Sequence, residues 1–195
     1  MQNPFTLTFG KSPLEPVERP LQTMEIVDTF TAETVNQQMF IITGVRGSGK
    51  TVMMTEIARR LREREDWVVI ELNPATDLLQ GMLAKLNSNK VCAAIIKSAK
   101  IDLSFFGFGV AIEGVPPLTD TETAIITILE KLKKQDKRLL ITIDEVTNND
   151  YMKVFAGSFQ IFVRQDLPVF LRLRIMAGCL TGISASHNSI PVLRR

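Results

Sequence analysis

Positions 44 to 51 read Gly44-Val45-Arg46-Gly47-Ser48-Gly49-Lys50-Thr51. The spacing G-x-x-x-x-G-K-T has a chemical meaning. Glycines allow a tight backbone turn and let main-chain amides approach an anion with no Cβ in the way. Successive N–H groups from Gly47 to Thr51 can then form a concave nest for phosphate oxygens. A helix starting near Lys50, with Val52 following, adds its positive end. Lys50 can reach the β- and γ-phosphates, and the Thr51 hydroxyl can ligate Mg²⁺. Residues Gly44 to Val52 are therefore a candidate site for a nucleoside triphosphate, ATP with Mg²⁺. The alternative is a glycine turn with no ligand.

A second chemical feature lies far downstream. Leu139-Leu-Ile-Thr-Ile-Asp144-Glu145 is an apolar run ending in two carboxylates. An Asp at the end of a strand beside the phosphate-loop strand can hold Mg²⁺, directly or through water. The adjacent Glu can orient and deprotonate an attacking water. An ordinary strand end with solvated acids is the competing reading. The pair also sorts reaction classes. A P-loop kinase passes phosphate to an acceptor other than water and does not need the second acid. A guanine-binding N-K-x-D is missing, since the Asn-Lys pair continues Asn89-Lys90-Val91-Cys92, and no L-S-G-G-Q is present.

These residues need elements to place them. Met39–Thr43 is a short apolar strand running into the loop, and Lys50–Arg64 is an amphipathic helix leaving it. Within that helix Met53 and Met54 read as core. Further strands are expected at Trp67–Leu72, Arg138–Asp144 and Val169–Ala177. Helices are expected at Asp77–Asn87, Thr119–Lys134 and Asn149–Gln165, with looser helical spacing over Leu21–Asn36. Thr119 and Glu122 are spaced as a capping box. Ile101–Val115, rich in Phe, Val and Ile with Gly107 and Gly109, reads as a β-hairpin insert. Strand–loop–helix repetition implies a three-layer α/β/α fold with a mostly parallel sheet. Residues 1–22, with Pro4, Pro13, Pro16 and Pro20, read as an extended arm. Residues 23–180 form the core, and 181–195 an irregular tail.

The chain has 195 residues, 45% of them hydrophobic, which suits one such domain, and a net charge of +2 that gives no global field for nucleic acid or lipid. Residues 151–195 nevertheless carry six basic side chains against one acidic. That end is either a solvated basic surface or one for nucleic acid, a partner protein or a second copy. Cys92 and Cys179 form no ligand-spaced pair, and His187 has no partners at metal spacing. Phe105, Phe106 and Phe108 lack the interleaved basic residues of a base-stacking surface and read as packing. With no signal-peptide pattern and no apolar run of membrane length, the expectation is a cytoplasmic chain that does not enter a membrane.

The loop TGVRGSGKT and the run LLITIDEV resemble the AAA+ class of P-loop ATPases. The Asn3-Pro4-Phe5 opening, the segment FFGFGVAIEG and the later DLPVFL are similar, more narrowly, to prokaryotic and archaeal ATPases of the origin-recognition-complex-like kind. The resemblance spans residues 3–180. It implies a five-stranded parallel core with the phosphate-loop strand central and the acidic strand close by. It also implies Mg²⁺-dependent ATP hydrolysis or a nucleotide-controlled switch that binds a partner or DNA with little turnover. Lys50, Thr51, Asp144 and Glu145 match the family pattern, with Lys50 and Glu145 in the catalytic roles and Thr51 and Asp144 on the metal. The polar sensor that the family carries near the end of its fourth strand is not matched, because that stretch reads Arg174-Ile-Met-Ala-Gly178. Arg164, Arg172 and Arg174 offer no assignable arginine finger. The helical lid that follows the core in this class is not seen before Arg195, and the pattern weakens after about Leu171. Both fit a truncated chain or a reading-frame error.

Overall fold

The computed structural model describes residues 20–34, 37–43, 49–109, 111–175 and 192–193. The elements run α1 (Pro20–Thr31), β1 (Met39–Ile42), α2 (Lys50–Arg62), β2 (Trp67–Leu72), α3 (Leu78–Ser88) and α4 (Lys90–Ser98). After these come α5 (Thr121–Lys133), β3 (Arg138–Val146), α6 (Asp150–Arg164), β4 (Val169–Ile175) and β5 (Val192–Leu193). The five strands are parallel, in the order β2-β3-β4-β1-β5.

The strands alternate between two buried faces, as a parallel sheet covered by helices requires. Val68, Ile70, Leu139, Ile141, Ile143, Leu171 and Leu173 point to the layer built from α3, α4, α5 and α6. Phe40, Ile42, Trp67, Leu140 and Phe170 point the other way, to α1 and α2. The three-layer expectation holds, with two helices on one face and four on the other. The thinner layer is sealed by aromatic rings. Phe30 of α1 lies 5.2 Å from Phe40 and 5.1 Å from Phe170, and Trp67 lies 4.9 Å from Phe170. Arg138 closes that edge by donating to the Phe30 carbonyl at 2.7 Å, beneath the last turn of α1.

Several expectations are corrected. Strand β1 lies between β4 and β5 and is not central, and β4 separates it from acidic β3. The stretch 101–115 contains no strand among its described residues; it holds a 3-10 turn at Ser104–Phe106. The buried Asp102 explains this. Its carboxylate accepts the amides of Ser104 at 2.9 Å and Ile112 at 2.8 Å, so these amides are satisfied without a ladder partner. Gly107 and Gly109, at φ 77° and 74°, are also wound out of the extended region. The cap of α5 is Asp120, which accepts the Thr123 amide at 2.7 Å, and not Thr119. Glu122 instead accepts from Ser158 of α6. Helix α4, to which the sequence reading assigned no element, starts at Asn89, whose side chain accepts the amides of Val91 and Cys92. Helix α1 begins inside the stretch expected as an arm, and Val192–Leu193 of the expected irregular tail pair with Ile41–Ile42.

Arg172 stands against the pattern of the core. It is 2% exposed on the face of β4 turned to α2, where it donates to the Met54 carbonyl, and its Nε has no hydrogen-bond partner. Burial pushes this guanidinium below its ordinary pKa, and the charge of Asp144 only partly opposes the shift. A buried cation held by one carbonyl costs more than an apolar side chain of similar volume. Arg172→Met is therefore expected to raise stability by about 1–3 kcal/mol, on the scale of such replacements. Urea titration of the two proteins measures this, and a loss of stability would mean that the Met54 bond outweighs the buried charge.

Candidate functional site

The site gathers at the C-terminal edge of the sheet. Strand β1 ends at Ile42 and α2 begins at Lys50. Of the candidate phosphate-binding residues, Gly44, Val45, Arg46, Gly47 and Ser48 lie outside the described residues. Gly49 is described, at φ 78° and ψ 11°, a left-handed conformation that favours glycine. It serves as the N-cap of α2 but provides no side-chain cap, and the first turn carries no acidic residue. The positive end of α2 is therefore not answered by a carboxylate from its own turn. Lys50 is buried at this end, Thr51 is exposed and Val52 is half-buried.

Acidic β3 reaches the same edge through a bulge. Ile143 pairs with Leu173 and Val146 with Ile175, so Asp144 and Glu145 together oppose the single residue Arg174. Such an insertion bends a strand and re-aims its side chains. Here Glu145 takes φ 53°, a left-handed conformation costly for a residue with a Cβ, and its amide donates to its neighbour Asp144 at 2.8 Å. The bulge leaves the Glu145 side chain 64% exposed, whereas Asp144 is 34% exposed.

Arg174 joins the two halves. Its Nε donates to Asp144 Oδ1, its Nη1 to Thr51 Oγ1 at 2.7 Å and its Nη2 to Glu145 Oε1 at 2.9 Å. One guanidinium thus spans the start of α2 and both acids of β3. Strand pairing fixes its backbone, with Arg174 opposite Ile42 of β1 and opposite the bulge of β3. The loop after β3 is braced separately: Asn149 caps α6 and donates from Nδ2 to the Pro74 carbonyl at 2.8 Å, tying it to the loop after β2.

Arg174 is the residue that sequence reasoning did not place in the site. Its signal was parity. In Val169–Ile175 it shares a face with Phe170, the side on which α2 packs. Arg164 is exposed in the last turn of α6, where a cation complements the helix dipole. Phe106 and Phe108 pack against the core, although Phe105 is 62% exposed. Met53 and Met54 are core, as expected. Cys92 is buried, and burial pushes its thiol up to about 12. His187 and Cys179 lie outside the described residues. Among those described, no group of three or more His, Cys, Asp or Glu could hold a metal by itself, and no helix is long and apolar enough to cross a membrane.

Residues 24–169 match the sequence profile of a family described as an ATPase domain predominantly from Archaea. No curated protein matches the chain. Among solved structures it is similar to Cdc6p from Pyrobaculum aerophilum, with a TM-score of 0.52 at 13% identity, over 87% of this chain and 42% of that one. It also matches the Orc1 protein of Aeropyrum pernix, solved in complex with DNA, with a TM-score of 0.43 at 16% identity over 82% of this chain and 39% of that one. A third match is PCH-2 of C. elegans, with a TM-score of 0.43 at 13% identity over 84% of this chain and 38% of that one. The chain spans about two fifths of the length of these structures. The likeness to Cdc6p establishes the fold.

The strained bulge gives a prediction that does not depend on any ligand. Glycine in a strand interior usually weakens it, but at φ 53° it relieves the Cβ penalty. The exposed ion pair that would be lost contributes little. Glu145→Gly is therefore expected to leave stability within about 1 kcal/mol of the parent protein or to raise it. Chemical denaturation reads this out, and a larger loss would place the bulge geometry in doubt.

Proposed function

The chain belongs to the family of ATPase domains found predominantly in Archaea and has the AAA+ P-loop fold, and from that premise we propose that it binds ATP with Mg²⁺ and hydrolyses it. One observation carries the reading: Thr51, Asp144 and Glu145, from two separate segments, all hydrogen-bond the same guanidinium. They are within reach of one small volume at the start of α2.

Residues Gly44 to Val52 would cradle the phosphates with their amides, and Lys50 would neutralise the terminal phosphate. The Thr51 hydroxyl and the Asp144 carboxylate are hard oxygen donors brought close by a shared cation, a set that suits Mg²⁺. Mg²⁺, when bound, neutralises phosphate charge and polarises the transferred group. Glu145, the more exposed acid, would orient water and accept its proton. The Asp144 carboxylate, bonded to the Glu145 amide, would help hold that geometry.

A second reading is a nucleotide-dependent switch with little turnover, acting on a partner protein, a second copy or nucleic acid. The guanidinium already seated on Thr51, Asp144 and Glu145 favours it, because those groups must be released before they can act.

Phosphate release and nucleotide binding in the parent protein, Lys50→Ala and Glu145→Gln test both readings. Lys50→Ala should lose nucleotide affinity. Glu145→Gln should bind ATP but turn it over about 10²–10⁴-fold more slowly, the usual worth of a positioned base. Unchanged turnover in Glu145→Gln removes the general-base role. Tight ATP binding with no hydrolysis by the parent protein selects the switch.

A further inference from the structure

Arg174 occupies the place where the chemistry needs a different cation. The two oxygen groups best suited to a divalent metal are the Thr51 hydroxyl and the Asp144 carboxylate. Nη1 of Arg174 holds the first at 2.7 Å and its Nε holds the second, while Nη2 engages Glu145 at 2.9 Å. A guanidinium stays charged at all ordinary pH and matches planar carboxylates with a rigid fork of donors. Mg²⁺ binds oxygen at about 2.0–2.1 Å in near-octahedral geometry. Two cations set on these oxygens would repel each other across a few ångströms, so they compete for the same groups. The side chain of Arg174 is only 14% exposed, and its backbone is locked by β1 on one side and β3 on the other. Release must therefore come from side-chain rotation, with β4 staying in place.

We propose that Arg174 is an internal cation that holds the metal- and water-handling groups, so that Mg²⁺ must compete with it for them. The proposal rests on the ATP and Mg²⁺ reading above. It makes metal binding conditional on nucleotide. Without a triphosphate, the guanidinium has three anionic or polar acceptors and no reason to leave. With one bound at the start of α2, phosphate oxygens offer it alternative acceptors beside Thr51, and the metal can take the vacated position. Arg174 is in this sense a positioning residue. It sets when Thr51, Asp144 and Glu145 become available.

The test uses the whole chain and two substitutions, Arg174→Met and Arg174→Lys, with folding checked by thermal melts. Binding of a fluorescent ATP analogue is titrated against Mg²⁺. Binding of Mn²⁺ without nucleotide is followed by the spin-resonance signal of the free ion. Arg174→Met should lower the half-saturating Mg²⁺ concentration about tenfold, the scale of one lost charge-assisted hydrogen bond. It should also bind Mn²⁺ without nucleotide at concentrations where the parent protein does not. Arg174→Lys keeps the charge but cannot bridge three acceptors with a planar fork, so its shift should be smaller, about threefold. It carries the test should the Met variant fail to fold. An unchanged or raised Mg²⁺ requirement in the variants overturns the proposal. If that happens while Lys50→Ala still abolishes nucleotide binding, the ATP reading stands and only the internal cation falls. If the parent protein and Lys50→Ala are equally unable to bind nucleotide, both fall together.

Discussion

Strand β4 is the constraint on which the site depends. It lies between β1, which precedes the candidate phosphate-binding residues in the chain, and β3, which carries Asp144 and Glu145. Parallel strands stand about 4.8 Å apart, so a residue at the end of β3 is two strand spacings from the end of β1. Arg174, a long cation on the intervening strand, reaches Asp144 of β3 and Thr51 of α2 at once. The bulge in β3 completes the arrangement by setting two acids against one residue of β4. Without the extra residue, register would send Asp144 and Glu145 to opposite faces of the sheet.

Two arginines on the same face of β4, two residues apart, meet opposite circumstances. Arg174 is near the sheet edge, with two carboxylates and a hydroxyl, so its charge is answered. Arg172 is inside the layer, with one carbonyl bonded and Nε unpartnered. Buried charge is tolerated only where it is paired and hydrogen-bonded, and Arg172 meets that condition only in part. Both residues nevertheless reach the same helix. Arg172 bonds the carbonyl of Met54, and Arg174 bonds the hydroxyl of Thr51, three residues earlier on one face of α2.

Legibility in the sequence followed the range of the physics. The loop–helix junction depends on glycine freedom, a helix end and local spacing, so the start of α2 after Gly49 could be read directly. Strands β1 to β4 are short apolar runs, and their parallel sense followed from alternation with helices, whereas β5 lies in the tail that reads as irregular. The hairpin failed because apolar content and glycines fit a strand as well as a turn; the buried Asp102 decided between them by accepting the Ser104 and Ile112 amides. Helix α4 is short, and its signals, Asn89 as cap and Cys92, Ile95 and Ile96 at helical spacing, are easily missed between longer elements. Parity gives the face on which Arg174 lies but not its partners. Its role comes from strand order and from a register shift in a neighbouring strand, and neither is encoded near residue 174.

On the proposed function, the same geometry would connect nucleotide state to the rest of the fold. A phosphate arriving at the start of α2 would compete for the contacts that tie this helix to β4. If Arg174 lets go of Thr51, the Met54 carbonyl still holds Arg172, so α2 stays anchored one turn further in. The freed end is the one nearest the ligand, and it faces the strained Glu145 across the edge of β4. Strain at that residue and a cation that a ligand could displace would suit a bistable site, because each state must be held by contacts that the other lacks. The aromatic seal of Phe30, Phe40, Trp67 and Phe170 packs α1 against β1, β2 and β4 without using any of these polar groups. The thin layer can thus keep its core while the contacts at its edge exchange.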